Sequence, residues 1–227
     1  MSMSQQAAPP PAQGIDVQGN PFMMHKQGTA QAAARLNAFK FKPYTSPGDR
    51  VLEFGCSGGW LLKELTAAER VGIEPDRKAQ EVCRWNGIEV VDSAAQLGSR
   101  KFNRVISNHY LEHLPHPTEE LRGLRAVMDK DALLVLVVPI DDWRTQKDWE
   151  RDDVDQHLQT WTPPSLANTL ELAGFKVDSV AILTHAWPPF WDTLSRRLPA
   201  PILHLVCTAW GHLRRRRQLV ALARNPG

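Results

Sequence analysis

One stretch, close to residue 55, constrains the fold more than any other part of the sequence. Residues 51–54 are apolar except for Glu53, which indicates a buried strand, and a turn of small residues follows at once: Gly55, Cys56, Ser57, Gly58 and Gly59. Residues 60–65 then carry apolar side chains at helical spacing. Small residues at the start of a helix let a ligand approach bare backbone amides. The stretch therefore predicts a strand, a glycine-rich turn and a helix that together form a nucleotide pocket.

The spacing of these small residues argues against a dinucleotide site. A dinucleotide-binding turn has glycine two and five positions after its first glycine. Those two positions hold Ser57 and Trp60 in this chain. An NAD(P)-dependent oxidoreductase therefore stays only as an alternative, and a pocket for another nucleotide-like cofactor is favoured.

Strand and helix patterns alternate along the rest of the chain. Strands are predicted at residues 70–73, 88–91, 104–107, 132–139, 175–183 and 218–223, and helices at 30–39, 77–86, 118–129 and between Thr162, an N-cap, and Gly174, a stop. Residues 132–139 are apolar at every position, as expected of a central strand that is covered on both faces. This order predicts an α/β fold whose parallel sheet carries helices on both faces.

Three motifs resemble those of the class I S-adenosylmethionine-dependent methyltransferases, in the small-molecule branch of type 11 and type 23 domains. Residues 53–59 resemble the family's acid-x-Gly-x-Gly-x-Gly loop, with Ser57 in place of the middle glycine. Val-Gly-Ile-Glu-Pro-Asp at 71–76 resembles the second motif, and Leu-Glu-His-Leu-x-x-Pro at 111–117 resembles the segment after the fourth strand. The resemblance implies a Rossmann-like sheet of seven strands, the last one antiparallel, and S-adenosyl-L-methionine as the cofactor.

The resemblance also implies a role for residues at the ends of the strands. Glu74 would accept hydrogen bonds from both ribose hydroxyls, and Asp92 would bind the adenine amino group, with Ser93 as the alternative contact. Glu53 would order the glycine loop or bind the cofactor through water. The cofactor-binding residues predicted in this way are Glu53, Gly55, Cys56, Ser57, Gly59, Glu74, Pro75, Asp92, Ser93, Asn108 and His109.

Three histidines are candidates for the transfer chemistry. A hydroxyl acceptor must lose a proton during methyl transfer, and histidine has a pKa suited to taking it. The candidates are His109, His113 and His157, and structural roles stay open for the last two. His157 lies in a His-x-x-x-aromatic-Thr-Pro segment, which resembles one at the active-site mouth of small-molecule methyltransferases. The polar loop at residues 141–153 is predicted to form part of the acceptor pocket.

These features predict methyl transfer to a small-molecule acceptor such as a metabolite, a sugar or a lipid-linked compound, with O-methylation favoured over N- or C-methylation. A catalytically inactive methyltransferase-like binding or scaffold protein is the alternative. The net charge is only +2 and the Asp-Pro-Pro-Tyr loop of many DNA and amine methyltransferases is absent, so no nucleic-acid partner is expected. The acids and histidines lack the spacing of metal ligands, so no metal is expected.

The sequence divides into a tail and one domain. Residues 1–20 are rich in Gln, Ala, Pro and Gly and predict a disordered tail, whereas residues 21–227 predict a single domain. Three widely spaced cysteines show no disulfide framework, and neither a signal peptide nor a membrane-spanning run is recognisable. We therefore expect a cytoplasmic protein.

A helical insert is predicted at residues 185–217, beyond the part that resembles the family. Apolar residues recur there at helical spacing and four arginines follow: Ile202, Leu205, Val206, Ala209, Trp210 and Leu213, then Arg214, Arg215, Arg216 and Arg217. Three interpretations stay open for the insert. It is a helical pair packed over the pocket, an interfacial helix that gives peripheral membrane contact through residues 188–217, or an arginine cluster that binds a phosphate of the substrate.

Overall fold

Seven strands form one sheet in the computed structural model, which describes residues 30–141, 148, 151 and 156–227. The strands are β1 (Arg50–Phe54), β2 (Glu69–Ile73), β3 (Glu89–Val91), β4 (Phe102–Asn108), β5 (Met128–Ile140), β6 (Lys176–Thr184) and β7 (Arg217–Arg224). Their order across the sheet is β3-β2-β1-β4-β5-β7-β6. β7 runs antiparallel to its neighbours β5 and β6, and the other neighbouring pairs are parallel. The predicted Rossmann-like sheet with an antiparallel last strand is confirmed.

Helices flank the sheet, and side chains cap two of them. The helices are α1 (described over residues 30–37), α2 (Trp60–Glu64), α3 (Arg77–Trp85), α4 (Pro117–Arg125), α5 (Pro163–Leu172), α6 (Trp191–Arg197) and α7 (Ala200–Arg214). Asp76 caps α3 by accepting a hydrogen bond from the Lys78 amide at 3.0 Å. Thr162 caps α5, as predicted, and forms a reciprocal capping box with Ser165. The tail predicted for residues 1–20 lies outside the described residues.

The helix predicted over residues 118–129 is wrong at its C-terminal end. α4 ends at Arg125, and Met128 is already the first residue of β5. The Phe102 amide donates to the Val127 carbonyl at 2.9 Å, and Met128 pairs with Phe102 across the ladder. A buried methionine fits the apolar side of a helix and of a strand equally well. Its spacing from Leu124 therefore could not show where the helix ends.

Each face of the sheet has its own hydrophobic core. Side chains alternate along β5, so Leu134 and Leu136 pack with α4 and α5 on one face, whereas Val135 and Val137 pack with α2 and α3 on the other. Burial on both faces explains the continuous apolar run of this strand. The carboxyl ends of β1 to β5 lie together at one edge of the sheet, where open α/β sheets bind their ligands.

The predicted helical insert contains α6 and α7, and α7 packs through one face only. Its buried residues are Leu203, Cys207 and Gly211, which recur at every fourth position. A Cβ atom at Gly211 would lie 3.1 Å from the backbone nitrogen of His185, so this helix approaches the end of β6 closely. In the part of the chain that the structure describes, no helix is long and apolar enough to cross a membrane.

Candidate active site

The turn between β1 and α2 has three residues in the left-handed region. φ is 78° at Gly55, 48° at Ser57 and 70° at Gly59. A Cβ atom at Gly55 would lie 2.1 Å from Cγ of Tyr110, so no larger residue fits at this position. The amides of Gly55 and the next residue both donate to the Ile73 carbonyl, at 2.9 and 3.0 Å. The turn is thus fixed against the end of β2, and its curved backbone suits a ligand that approaches bare amides.

The Cys56 side chain faces the protein interior. It is buried, and its Sγ lies 3.8 Å from Sγ of Cys83. The contact with Cys83 and burial both raise the pKa of the Cys56 thiol. The sequence predicts Cys56 as a cofactor-binding residue, and only its backbone is available for that contact.

Glu74 connects the end of β2 to the glycine-rich turn. Its Oε2 accepts a hydrogen bond from the Ser57 amide at 2.8 Å, and its Oε1 accepts one from the Asp76 amide at 2.9 Å. Burial raises the pKa of the Glu74 carboxyl, and the two amide hydrogen bonds oppose that shift. Each carboxylate oxygen has a second lone pair, so both can accept from a ribose hydroxyl as well. Pro75, the next residue, is exposed.

Glu53 is a buried carboxyl group on β1, two residues before the turn. It is 3% exposed, and within the described residues its Oε2 has no hydrogen-bond partner. Burial raises its pKa well above the usual range, nearby Cys83 and Glu74 raise it further, and a hydrogen bond from the Leu62 backbone lowers it. A buried oxygen without a partner is costly. The atom therefore fits a cofactor, or a water held by the cofactor, that donates a hydrogen bond to it.

Asp92 is an exposed carboxylate at the end of β3. It accepts hydrogen bonds from the side-chain amides of Gln80 at 2.5 Å and Gln96 at 3.0 Å. These two hydrogen bonds hold the pKa of Asp92 below its usual value. Asp92 is therefore ionised at neutral pH and can accept from an amino group. Ser93, the alternative contact, is exposed beside it.

A buried polar cluster follows β4, and the sequence did not reveal two of its members. Lys40 donates to Oε1 of Gln218 at 2.6 Å and to Oδ1 of Asn108 at 3.3 Å. The Nε2 atom of His109 lies 3.1 Å from the same Gln218 oxygen. Burial lowers the pKa of Lys40 to about 7 and that of His109 to about 3. His109 is therefore neutral and donates through Nε2, since the Gln218 amide nitrogen already donates to the His185 carbonyl at 2.9 Å.

A second cluster brings His113 and His157 together. The Nδ1 atom of His157 lies 2.7 Å from Oδ2 of Asp141, and its ring packs edge-on against His113 with centroids 4.9 Å apart. Glu112 connects this cluster to the first, because its Oε1 lies 3.5 Å from Nδ1 of His109. Its carbonyl also accepts from the two amides that follow His157, at 2.9 and 3.0 Å. The fold thus places all three candidate histidines around one buried carboxyl group.

Part of this cluster could also hold a metal ion. Glu112, His113 and His157 each offer a ligand atom, and these atoms lie within 4.8 Å of one another. The sequence predicts no metal site because ligands 44 positions apart in the chain show no recognisable spacing. Most of the loop at 141–153 that is predicted to form part of the acceptor pocket lies outside the described residues, namely residues 142–147, 149–150 and 152–153.

Lys40, Gln218 and Glu112 belong to these clusters, but the sequence analysis gave them no role. Asp141 is the first residue of the loop that the sequence predicts as part of the acceptor pocket. Lys40 lies in a mostly apolar run, and a lysine there is a weak signal of a buried amine. Gln218 is 178 positions further along, so only the pairing of β7 with β5 brings it to the site. Asp141 directly follows the apolar run of β5, a position at which polar residues reach the ligand edge of an α/β sheet.

The sequence matches known methyltransferases. A family described as a methyltransferase domain matches residues 24–180. The chain is also similar to the ubiquinone biosynthesis O-methyltransferase of Hahella chejuensis, with 29% identity over 93 residues. That similarity covers 36% of this chain and 39% of the relative, so it spans well under half of the relative's length.

Solved structures with little sequence identity share the fold. The chain resembles a structure of the Haloferax volcanii Trm112 methyltransferase activator in complex with a putative methyltransferase, with a TM-score of 0.67, 10% identity and coverage of 92% of this chain and 98% of that one. It resembles a SAM-dependent methyltransferase from Archaeoglobus fulgidus with a TM-score of 0.61, 17% identity and coverage of 89% and 99%. Because the family match covers most of the sequence and the sheet has the same fold, the chain belongs to the class I S-adenosylmethionine-dependent methyltransferases.

Proposed function

We propose that the chain transfers the methyl group of S-adenosyl-L-methionine to a hydroxyl oxygen of a small-molecule acceptor, with His157 as the general base. The observation that supports this proposal is the 2.7 Å contact between Nδ1 of His157 and Oδ2 of Asp141. A carboxylate only accepts hydrogen bonds, so Nδ1 carries the proton and Nε2 carries the lone pair. The imidazole is then in the tautomer that a base requires.

The cofactor supplies a methyl group bound to positively charged sulfur. The chain aligns the acceptor oxygen with that methyl carbon and removes the hydroxyl proton. The oxygen–carbon bond forms as the bond between that carbon and the sulfur breaks, which leaves S-adenosylhomocysteine. Nε2 of His157 takes the hydroxyl proton, and Asp141 stabilises the imidazolium that results. Glu74 binds the ribose of the cofactor, and the glycine-rich turn contacts its methionine half.

His109 and His113 have positioning roles in this proposal. His109 has a pKa of about 3 and is hydrogen-bonded to Gln218, so at neutral pH it is a poor base that is already engaged. His113 packs against His157 and limits the rotation of its ring. The Hahella chejuensis relative is an O-methyltransferase by name, which supports oxygen over nitrogen or carbon as the acceptor atom.

Two measurements test this function in turn. Calorimetry against S-adenosyl-L-methionine and S-adenosylhomocysteine should detect binding of both, after which a labelled-methyl screen of phenols, alcohols and amines should find a hydroxyl acceptor. With that acceptor, His157→Gln should lower turnover about 10²- to 10⁴-fold and leave S-adenosylhomocysteine affinity unchanged. His116→Gln is the matched control, because His116 is exposed.

The alternative functions give different results in these assays. A binding or scaffold protein would bind S-adenosylhomocysteine but label none of the acceptor classes. An NAD(P)-dependent oxidoreductase would bind NADH more tightly than S-adenosylhomocysteine. Transfer that occurs at the wild-type rate in His157→Gln would remove this residue from the mechanism and keep the enzyme class.

A further inference from the structure

We infer that α7 docks on the surface of a membrane that contains anionic phospholipids. Besides its packed face, this helix has a second apolar face that is exposed. That face, the α7 stripe, consists of Ile202, Leu205, Ala209 and Leu213. Leu205 and Leu213 are 70% and 72% exposed, and Ile202 is 50% exposed.

The position of the α7 stripe on the helix makes it a continuous surface. Its residues are three or four positions apart, so they lie one above the other along a single side of the helix. The packed residues Leu203, Cys207 and Gly211 lie on the other side, against the body of the domain. A row of large apolar side chains on a surface marks an interaction site, whereas scattered ones do not.

The charge beside the α7 stripe indicates which kind of partner covers it. Arg214, Arg215, Arg216 and Arg217 are all exposed, and none of them forms an ion pair within the described residues. Residues 200–217 contain no acidic side chain. The Arg214 guanidinium lies 5.7 Å from the Trp210 ring centroid, so the basic and apolar groups are adjacent. An apolar helix face bordered by arginine and tryptophan is the pattern of an interfacial helix on anionic lipid.

A cavity beside the arginines is large enough to take a lipid headgroup. It has a volume of about 540 Å³, and its lining includes Arg215, Arg217 and Thr162. A phosphate there would lie beside two arginines, a residue type whose guanidinium group binds phosphate well. The C-terminal end of the insert would then bind the headgroup phosphate, next to the α7 stripe that contacts the apolar part of the membrane.

α7 lies between the docking surface and the candidate active site. The His204 ring on α7 packs against Phe39 with centroids 4.4 Å apart, and Phe39 directly precedes Lys40 of the buried polar cluster. Docking would therefore place the candidate active site on the membrane side of the domain. The inference concerns lipid binding alone, so it stands or fails separately from the proposed methyl transfer.

Flotation of the full chain with lipid vesicles tests the inference. Vesicles of phosphatidylcholine with one third phosphatidylglycerol should carry the protein upward at low salt, and vesicles of phosphatidylcholine alone should not. Leu205→Gln with Leu213→Gln should weaken binding at least tenfold. Arg214→Ser with Arg216→Ser should also weaken it at least tenfold, because each basic residue near an anionic surface contributes roughly fivefold.

Matched controls separate docking from general effects of the substitutions. Leu172→Gln removes a leucine that is 67% exposed on α5, and Lys78→Ser with Lys176→Ser removes two exposed charges elsewhere. Both control variants should float like the wild type. All of these positions are exposed, so circular dichroism should show unchanged folding.

Three outcomes would overturn the inference. Folded wild type that stays at the bottom of the gradient would exclude anionic lipid as the partner. A dimer in light scattering that the double leucine variant converts to monomer, without vesicle binding, would assign the α7 stripe to self-association. Binding of inorganic phosphate that depends on the arginines and is unchanged by the leucine substitutions, again without flotation, would assign the arginines to a soluble ligand.

Discussion

Replacing Lys40 with methionine should abolish a rise in stability between pH 7 and pH 9. The Lys40 side chain is 5% exposed, and burial lowers its pKa from 10.5 to about 7. In the unfolded chain the amine keeps its ordinary pKa, so above pH 7 the unfolded state binds more protons than the folded state. The free energy of unfolding of the wild type therefore increases with pH in this window.

The size of this effect follows from the two pKa values. Between pH 7 and pH 9 the folded amine changes from half-protonated to almost wholly neutral, while the unfolded amine stays protonated. The difference in bound protons between the two states, integrated from pH 7 to pH 9, is about 1.7. This corresponds to a gain of about 2 kcal/mol in the free energy of unfolding. Below pH 7 both states become protonated and the slope disappears. His109, whose pKa is lowered from 6.5 to about 3, affects the pH dependence of the free energy of unfolding only in the acid range, where the unfolded imidazole becomes protonated.

Urea unfolding at several pH values measures the effect directly. The wild type should gain about 2 kcal/mol between pH 7 and pH 9 that Lys40→Met does not gain. Lys42→Met is the matched control, because Lys42 is exposed two positions away, and it should keep the wild-type slope. Loss of hydrogen bonds to Gln218 and Asn108 shifts the variant at all pH values alike, so the slope is the diagnostic quantity. If the free energy of unfolding depends on pH equally in the wild type and in Lys40→Met, the lowered pKa of the buried Lys40 amine is refuted.

Three further substitutions test the cofactor edge and the proposed base. Glu74→Gln should weaken S-adenosylhomocysteine binding at least tenfold in calorimetry, because an amide cannot accept both backbone hydrogen bonds and the ribose; Glu81→Gln on the exposed side of α3 should not. Asp141→Asn should slow methyl transfer about 10²-fold with unchanged S-adenosylhomocysteine affinity, because the base loses the carboxylate that fixes its tautomer. Gly55→Ala should lower the free energy of unfolding by about 2 kcal/mol or more, whereas Gly123→Ala, in open space on α4, should not lower it.

The sheet was predictable because its signals are local. A strand such as β5 is apolar at each position over residues 132–139, and turns with glycine or an N-cap separate it from its neighbours. The side-chain contacts of the site depend instead on pairing between distant segments. Gln218 reaches Lys40 and His109 only because β7 lies antiparallel beside β5, with Gln218 opposite Pro139. No periodicity within a segment carries that information.

The orientation of α7 could not be predicted from its sequence. Its sequence contains two apolar rows, and helical spacing indicates which residues share a row but not which row is buried. The structure buries the row with Gly211, because only a residue without a Cβ lets the helix approach the His185 backbone so closely. The row with Leu205 and Leu213 is larger and more apolar, yet it lies outward. The helix therefore packs its smaller face on the protein and exposes its larger face beside four arginines, an arrangement that supports the inferred docking on anionic lipid.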